Sequence, residues 1–177
     1  MSMPSCRFET AAPDDEYVYG ACEPGWDSVA STIDAWISFM QENDIKRVCC
    51  LLSDGQVATH DNLIERYREA FGAEQVLHAP VTDHTLIPKA TFTDDILPFI
   101  QDSVAAGDPV VIHCKAGIGR TGQALAGWLV YAHDYTPKQA LETVSDRHRT
   151  PDDAVREGHA TMSELINRLD DLGTVDD

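Results

Sequence analysis

Residues 113–122 read His113-Cys114-Lys115-Ala116-Gly117-Ile118-Gly119-Arg120-Thr121-Gly122. A cysteine and an arginine stand near the two ends of a short loop that contains two glycines. The apolar run Pro109-Val110-Val111-Ile112 precedes this loop, and a helical pattern follows it. A strand, a tight loop and a helix N-terminus in this order form an anion-binding site, because free backbone N–H groups and the positive end of the helix dipole converge there. The sequence therefore predicts a thiol beside a bound anion.

Cys114 is the predicted nucleophile of this loop. The thiolate is the reactive form of cysteine, and a helix N-terminus with nearby cations favours it. Lys115, Arg120 and His113 are expected to supply that positive field together with the N–H groups of the loop. A buried and inert cysteine would instead be expected among apolar neighbours.

Arg120 is predicted to hold a phosphate group. Its planar guanidinium can bind two phosphate oxygens at once, which a lysine cannot do. A cation in the first turn of a helix opposes the helix dipole, so a bound anion is expected to compensate for it. Two glycines, Gly117 and Gly119, allow the backbone to turn tightly and to aim its N–H groups inward. The predicted phosphate-binding residues are Lys115, Ala116, Gly117, Ile118, Gly119 and Arg120.

Asp83, in the loop of residues 80–88, is the predicted general acid. Attack of a thiolate on a phosphoester requires a proton donor for the leaving oxygen, and the same carboxylate can later accept a proton from water. Loop aspartates often form only an Asx turn, so Asp54 is an alternative acid. Thr121 can cap the helix, donate its hydroxyl group to the sulfur of Cys114, or do both. No metal and no cofactor are expected, because no cluster of ligating residues has a convincing spacing.

The remaining pattern predicts a single α/β domain. Short β-like runs alternate with helical segments: strands at about 16–20, 46–52, 75–79 and 110–113, and helices at about 29–43, 61–71, 93–106, 119–133, from 137 onward and 151–172. This alternation favours a mostly parallel sheet of four to five strands with helices on both faces. Ligands of such sheets bind beyond the carboxyl ends of the strands. Residues 53–54, 80–88 and 114–120 are therefore expected to meet at one edge.

The N-terminal part of the chain is predicted to be irregular. Residues 1–15 contain Pro4, Pro13 and few apolar side chains, so a flexible N-terminus is expected before a single domain over residues 16–173. The first strand is expected at the edge of the sheet. Ser28 is the predicted N-cap of the first helix.

The chain is strongly acidic, with 13 Lys and Arg against 30 Asp and Glu and a formal net charge of −17. An excess of Asp with few Lys is typical of proteins from salt-loving organisms, because salt screens the self-repulsion. The same charge disfavours nucleic acids and anionic membranes as general partners. No apolar run has the length of a membrane span, and no signal-peptide pattern follows the first residues. A cytoplasmic monomer is expected.

The five cysteines are Cys6, Cys22, Cys49, Cys50 and Cys114. Their odd number and irregular spacing argue against a disulfide framework, and no pair has zinc-ligand spacing. Cys49 and Cys50 are predicted to be small buried side chains of a strand. The alternative hypothesis is that one of them lies close enough to Cys114 to form a protective disulfide on oxidation.

Residues 113–122 resemble the signature His-Cys-(x)5-Arg-(Ser/Thr) of the cysteine-based protein tyrosine phosphatases. Pro80-Val-Thr-Asp-His84 resembles the loop that carries the general acid of that family. Arg147-His-Arg-Thr-Pro151 is similar to the Arg-x-x-Arg-Pro helix end of the dual-specificity group, with Thr150 as a departure. The resemblance covers about residues 17–151 and implies the dual-specificity phosphatase fold.

The resemblance also implies a reaction in two displacements through a phosphocysteine. Cys114 attacks phosphorus, Arg120 and the loop N–H groups hold the phosphoryl oxygens, and Asp83 protonates the leaving group and then activates water. His113 is expected to orient the loop and to help keep Cys114 ionised. Thr121 is expected to assist release of the sulfur.

Three functions follow as hypotheses. The first is a protein phosphatase for phosphotyrosine, with activity on phosphoserine or phosphothreonine left open. The second is a phosphatase for an inositol phosphate, a nucleotide or an RNA 5′-phosphate, which would require basic residues such as Lys89 around the pocket. The third is a non-catalytic phosphate-binding module, which predicts a missing nucleophile, acid or arginine. Lys115 resembles the lysine of mitotic-exit and phosphoinositide 3-phosphatases, but Ile118 stands where the latter have a second lysine.

Overall fold

The computed structural model describes residues 4–173, and a five-stranded sheet lies at its centre. The strands are β1 (Glu9–Thr10), β2 (Val18–Ala21), β3 (Arg47–Cys50), β4 (Val76–His78) and β5 (Val110–His113). Their order across the sheet is β1-β2-β5-β3-β4. β1 pairs antiparallel with β2, and the other pairs are parallel. The predicted mostly parallel sheet is confirmed.

Helices cover both faces of the sheet, as predicted. They are α1 (Ile33–Glu42), α2 (Asp54–Val57), α3 (Leu63–Phe71), α4 (Leu97–Ala105), α5 (Gly119–His133), α6 (Pro137–Ser145), α7 (Asp153–Arg156) and α8 (Met162–Leu172). Shorter elements are 3₁₀ turns at Ser5–Arg7, Ser28–Ala30 and Ala73–Gln75 and a π-helical segment, Thr91–Ile96, that leads into α4. No helix among residues 4–173 is both long and apolar enough to cross a bilayer.

Two hydrophobic clusters hold these layers together. Helices α1 and α3 bury Trp36, Met40 and Tyr67 against one face of the sheet. Helices α4, α5, α6 and α8 pack on the other face. Successive side chains of a strand point to opposite faces, so Cys50 belongs to the first cluster and Cys49 to the second. Both faces of the sheet are therefore buried, as its apolar strands require.

The carboxyl ends of the four parallel strands are level. Ala21 and Cys50 are both register partners of His113, and His78 is the partner of Cys50. The loops that follow β2, β3, β4 and β5 therefore begin side by side at one edge of the sheet. This arrangement confirms the expectation that residues 53–54, 80–88 and 114–120 share an edge.

The N-terminal segment is packed, so the prediction of a flexible terminus over residues 1–15 is wrong from Pro4 onward. β1 forms the antiparallel edge strand, and the predicted edge strand, β2, lies inside the sheet. Asp15 is buried and its carboxylate bonds to the backbone N–H of Val18 and to the rings of Trp128 and His133. These ring partners are more than a hundred residues away in the chain, so local composition gave no sign of them. Residues 1–3 lie outside the described residues.

The first helix starts later than predicted. Thr32 is its N-cap, and the Thr32 hydroxyl accepts a hydrogen bond from the N–H of Ala35 at 3.0 Å. Ser28 only begins a 3₁₀ turn, in which Asp27 provides the cap. The 3₁₀ turn and α1 each have their own capping residue, and the apolar pattern of the sequence does not separate the two elements.

Two other boundaries also differ from the prediction. A loop is expected at residues 53–54, but Asp54–Val57 form α2, because Ser53 and Gln56 make a reciprocal capping box. The segment 151–172 is two helices, α7 and α8, and not one. Gly158, at φ +82°, ends the first of them, since a glycine tolerates the left-handed conformation that follows a helix.

Cys6 and Cys22 form a disulfide, which the spacing of the cysteines did not indicate. The Ser5–Arg7 turn and β1 place the N-terminal segment beside the end of β2, and this tertiary contact brings the two thiols together. Cys49, Cys50 and Cys114 are free. Burial raises the pKa of both Cys49 and Cys50, so they are neutral, buried side chains, as predicted. A disulfide of either one with Cys114 stays a prediction.

Candidate active site

Cys114 lies between β5 and α5, at the base of a surface pocket of about 310 Å³. The residues that line it are Trp26, Asp83, His84, Cys114, Lys115, Ala116, Ile118, Gly119, Arg120 and Asp153. Cys114 is 2% exposed, and its Sγ accepts a hydrogen bond from Oγ1 of Thr121 at 3.0 Å. A sulfur at the base of a pocket can react only with a group that enters it, such as the phosphoryl end of an ester.

Hydrogen bonds hold four carbonyl groups of the loop after β5 on the side of the loop that faces away from the pocket. Their partners are His113 Nδ1 for Cys114, the Glu23 N–H for Lys115, the Arg149 guanidinium for Gly117 and the Thr150 N–H for Ile118. All described peptide bonds are trans, and a trans peptide points its N–H away from its C=O. The N–H groups of residues 115, 116, 118 and 119 therefore point towards the pocket, where an anion can accept from them.

Gly117 is required by its surroundings. Its φ is +76°, and a Cβ at this position would lie 2.6 Å from the carbonyl oxygen of Ala21. The loop thus packs directly against the end of β2. A Cβ at Gly119 would lie 2.9 Å from the Asp153 side chain, so this glycine allows α7 to approach the loop.

His113 is buried and neutral. Its Nδ1 lies 2.9 Å from the carbonyl oxygen of Cys114 and its Nε2 lies 3.0 Å from the hydroxyl oxygen of Tyr67. A carbonyl oxygen only accepts, so Nδ1 carries the proton and the Tyr67 hydroxyl donates to Nε2. Burial lowers the pKa of His113 to about 4. The expectation that His113 adds positive charge beside Cys114 is therefore wrong, and its contact with the loop carbonyl is one of orientation.

Arg120 reaches back across the base of the pocket with one edge of its guanidinium anchored. Its Nη1 donates to Oε1 of Gln56 at 2.7 Å, to the carbonyl oxygen of Val81 at 3.0 Å and, at 3.4 Å, to that of Leu51. Its Nε is buried and has no hydrogen-bond partner among residues 4–173. The edge formed by Nε and Nη2 is therefore the one that can donate two parallel hydrogen bonds to a phosphoryl group.

Asp83 lies in the loop after β4, beside this edge of Arg120. Its Oδ1 is 3.2 Å from Nη2 of Arg120 and accepts a hydrogen bond from the N–H of His84 at 3.0 Å. Its Oδ2 accepts from Nε2 of Gln56 at 3.3 Å. The alternative acid, Asp54, is exposed in the first turn of α2 and does not line the pocket. The structure thus brings the predicted nucleophile, arginine and acid together.

Comparison with known families agrees with this geometry. Residues 20–134 match the family model described as a DSP-PTPase phosphatase of polymorphic toxin systems (Tc-R-P). The chain belongs to this phosphatase family. It is therefore a cysteine-based phosphatase of the protein tyrosine phosphatase superfamily, of the dual-specificity type, and the recognition of that superfamily from its loop is confirmed.

Curated relatives of the phosphatase match about half of its chain. The mouse phosphatidylglycerophosphatase and protein-tyrosine phosphatase 1 is 30% identical over 84 residues, which are 48% of this chain and 42% of the mouse protein. The dual specificity protein phosphatase Mpk3 of Drosophila melanogaster is 28% identical over 86 residues, which are 49% of this chain and 21% of that protein. The phosphatase thus aligns with less than half the length of these relatives.

Solved structures share its fold over most of its length. Tk-PTP in the active form superposes with a TM-score of 0.71 at 22% identity, over 96% of this chain and 97% of that one. PTPMT1 in complex with PI(5)P superposes with a TM-score of 0.72 at 15% identity, over 94% of both chains. These likenesses show the dual-specificity phosphatase fold that the loop implied.

Gln56 is a residue of the site that the sequence analysis missed. Its side chain accepts from Arg120 and donates to Asp83, so it fixes the arginine and the predicted acid relative to each other. Its Oε1 also accepts from the N–H of Ser53 at 3.2 Å, as part of the capping box of α2. The pattern Ser-x-x-Gln directly after a predicted strand is the signal that could have indicated an ordered side chain here.

A buried acidic group beneath the loop was also missed. Glu23 follows β2, and its Oε1 lies 3.1 Å from Nε2 of His60 and 3.7 Å from Nζ of Lys115. No sequence pattern links these three residues, because each comes from a different loop of the sheet edge.

At the mouth of the pocket, His84 connects the loop after β4 to helix α7 and to the segment that follows α7. Its Nδ1 lies 2.8 Å from Oδ2 of Asp153, and its backbone oxygen lies 2.7 Å from Nδ1 of His159. The hydrogen bond to Asp153 raises the pKa of His84. Ligand atoms of Asp83, His84 and Asp153 all lie within 4.8 Å of one another, so these are the residues that could hold a metal ion. In the structure, each is instead engaged by a protein partner.

Arg149 ties the C-terminal part of the domain to the catalytic loop. It is buried and donates to the carbonyl oxygens of Gly117 and Arg7. Gly20 leaves room for its guanidinium, since a Cβ there would lie 2.7 Å from Nη2. Arg149 is the second arginine of the altered motif at residues 147–151, so this motif supports the loop after β5.

Proposed function

We propose that this phosphatase hydrolyses phosphotyrosine in proteins through a phosphocysteine intermediate. The observation that carries the proposal is the contact set at the base of the pocket. The sulfur of Cys114, the Nε–Nη2 edge of Arg120 and the carboxylate of Asp83 converge there. Nucleophile, oxyanion binding and proton transfer, the three requirements of the reaction, are each matched by one of these groups.

In the first step the Cys114 thiolate forms a bond to phosphorus and the bond from phosphorus to the ester oxygen breaks. The Asp83 carboxyl group gives its proton to that oxygen, so the alcohol leaves neutral. In the second step a water oxygen attacks phosphorus, its proton passes to Asp83, and the sulfur leaves as a thiolate. Thr121 donates a hydrogen bond to the departing sulfur, and Arg120 holds the phosphoryl oxygens throughout.

The mouth of the pocket favours an aromatic phosphoester. Trp26 is 49% exposed and stands at the rim together with the apolar side chain of Ile118. An exposed indole can stack on the ring of a phosphotyrosine, a contact that contributes about 0.5–1.5 kcal/mol beyond burial. Phosphoserine and phosphothreonine offer no ring, so we expect them to be poorer substrates.

A small phosphoester is the second candidate function. A curated relative is a phosphatidylglycerophosphatase, and a solved structure of the same fold contains PI(5)P; both favour this candidate. Lys89, expected to be available to such a substrate, does not line the pocket and pairs with Asp171 at 3.6 Å. A non-catalytic module ranks last, because nucleophile, acid and arginine are all present.

The mechanism is tested with an aryl phosphate in the presence of EDTA. We expect phosphate release that vanadate inhibits and that Cys114→Ser lowers by at least about 10³-fold. Asp83→Asn should lower kcat by about 10²-fold for an alkyl leaving group and much less for a nitrophenol, which leaves without a proton. Undiminished turnover by Cys114→Ser would refute the mechanism.

Substrate class is tested with phosphotyrosine and phosphoserine peptides, inositol phosphates and nucleotides at low and high salt. Trp26→Ala should raise KM for the phosphotyrosine peptide about three- to tenfold and leave kcat nearly unchanged. Trp26→Phe should restore most of the affinity. Val29→Ala, an exposed residue of the same loop that does not line the pocket, is the matched control. Equal kinetics for all three variants would argue against an aromatic substrate.

We further infer a monomer. The expected cytoplasmic location stays a prediction, and the disulfide between Cys6 and Cys22 counts against it, because such bonds persist mainly in oxidising compartments.

A further inference from the structure

Glu23 is a buried carboxylate directly beneath the catalytic loop. Its side chain is 8% exposed, and its backbone N–H donates to the carbonyl oxygen of Lys115 at 2.9 Å. Its Oε1 contacts His60 and Lys115, whereas its Oε2 is buried with no hydrogen-bond partner among residues 4–173. Burial of a carboxylate with an unsatisfied oxygen is unfavourable unless a cation compensates for it.

Lys115 is in a position to be that cation. It follows Cys114, lines the pocket, is 45% exposed and carries its Nζ 3.7 Å from Oε1 of Glu23. A lysine has a flexible stem of four carbons, so without Glu23 its ammonium could turn to an anion at the mouth of the pocket. The attraction of Glu23 holds it at the wall instead.

The other cationic groups that line the pocket also have acidic partners. Arg120 lies beside Asp83, and His84 is hydrogen-bonded to Asp153. The phosphoryl group that reacts can bind the Nε–Nη2 edge of Arg120, whose Nε has no hydrogen-bond partner among residues 4–173. A second phosphate on the same substrate would meet the carboxylate of Asp153 at the mouth and a lysine whose charge is already compensated.

We propose that Glu23 is a specificity-determining residue that acts by positioning Lys115. By holding the lysine, it makes the phosphatase select substrates with one phosphate over substrates with a second phosphate near the first, such as inositol bisphosphates. This inference rests on the proposed function and deepens it, since it names the chemical feature that the pocket rejects.

The test compares inositol 4-phosphate with inositol 4,5-bisphosphate, which differ only in a second phosphate on the adjacent ring carbon. Glu23→Gln keeps the shape of the side chain, removes its charge and releases Lys115. We expect KM for the bisphosphate to fall about tenfold, the effect of one added hydrogen bond between charged groups. KM for the monophosphate and both kcat values should change less than about twofold, within the scatter of such single-site effects. An unchanged ratio of the two KM values in a folded variant would overturn the proposal.

A double-mutant cycle identifies the lysine as the agent. In the Lys115→Met background, Glu23→Gln should produce no gain for the bisphosphate, because no ammonium is left to release. A full gain in that background would also overturn the proposal, since it would mean that the effect does not pass through Lys115.

Lys115→Met alone covers the case in which Glu23→Gln does not fold. The held lysine adds nothing to binding of a second phosphate, so this variant should show the same KM ratio as the wild-type protein. A ratio that shifts against the bisphosphate would contradict the proposal. Calorimetric binding of both inositol phosphates to the Cys114→Ser protein measures the same discrimination without turnover. It therefore separates a failure of this inference from a failure of the proposed reaction.

Discussion

The hydroxyl group of Thr121 donates to the sulfur of Cys114 at 3.0 Å, and this contact has a kinetic consequence. The sulfur leaves as a thiolate in the second step, so a donor beside it lowers that barrier more than the first. Thr121→Val should therefore slow hydrolysis of the phosphocysteine about tenfold, the effect of about 1.4 kcal/mol. Rapid-quench kinetics should show a larger burst of released alcohol followed by a slower steady state.

Thr121→Ser is the control for this prediction, because serine keeps the hydroxyl group. It should retain most of the wild-type steady-state rate. Slowing of the burst and of the steady state by the same factor in Thr121→Val would mean that the hydroxyl supports the loop in both steps and has no special role in release.

Single residues of the site differ in how far the sequence predicts them. Cys114 and Arg120 belong to one contiguous loop, and Asp83 follows a strand, so local pattern and strand order indicate all three. Gln56 and Glu23 could not be predicted in the same way. Their roles arise from contacts with Arg120 and Lys115 across 64 residues or more in the chain, and local sequence carries no information on which loop faces which.

At the scale of elements, the pair of His84 and Asp153 fastens the loop after β4 to α7. Asp153 raises the pKa of His84 above its ordinary value of 6.5, with smaller contributions from Asp83 and Glu157. The native state thus favours the protonated imidazole. The stability that this pair contributes is complete below about pH 6.5, the value in the unfolded chain, and is lost as the pH rises through the raised pKa.

Asp153→Asn should therefore lower the melting temperature more at pH 5.5 than at pH 9. Because His84 is exposed and screened by solvent, we expect a difference of only about 1–2 °C. Asp152→Asn is the matched control, since Asp152 pairs with Arg156 and not with His84. A deficit of the same size at both pH values would contradict an ionic contribution from this pair.

The sequence predicted a helix or a strand best where burial of its apolar side chains alone determines where it begins and ends. Helix α5 and strand β5 begin and end as the sequence indicates, because their apolar side chains are buried on every side. The boundaries of α1 and α7 depend on the cap at Thr32 and on the break at Gly158. Caps contribute only about 1 kcal/mol each, and several candidate residues compete for the role in this sequence.

At the scale of the whole molecule, the disulfide between Cys6 and Cys22 fixes the N-terminal segment to the end of β2. Closing a loop of this length contributes about 3 kcal/mol in the chain-entropy model. Replacing both cysteines with serine should lower the melting temperature by about 6–12 °C for a domain of this size. A melting temperature within about 2 °C of the wild-type value would mean that β1 pairing alone holds the segment.

The net charge of −17 sets a field around the whole phosphatase that opposes anionic substrates. The Debye length falls from about 30 Å at 0.01 M salt to about 10 Å at 0.1 M, so added NaCl should weaken that field. For a phosphotyrosine peptide flanked by glutamates, kcat/KM should rise severalfold between 0.01 and 0.5 M NaCl, whereas a peptide flanked by lysines should show a fall. The two values should converge at high salt, with kcat unaffected in both cases. Parallel responses of the two peptides would show that salt acts on the stability or the chemistry of the protein and not on the encounter.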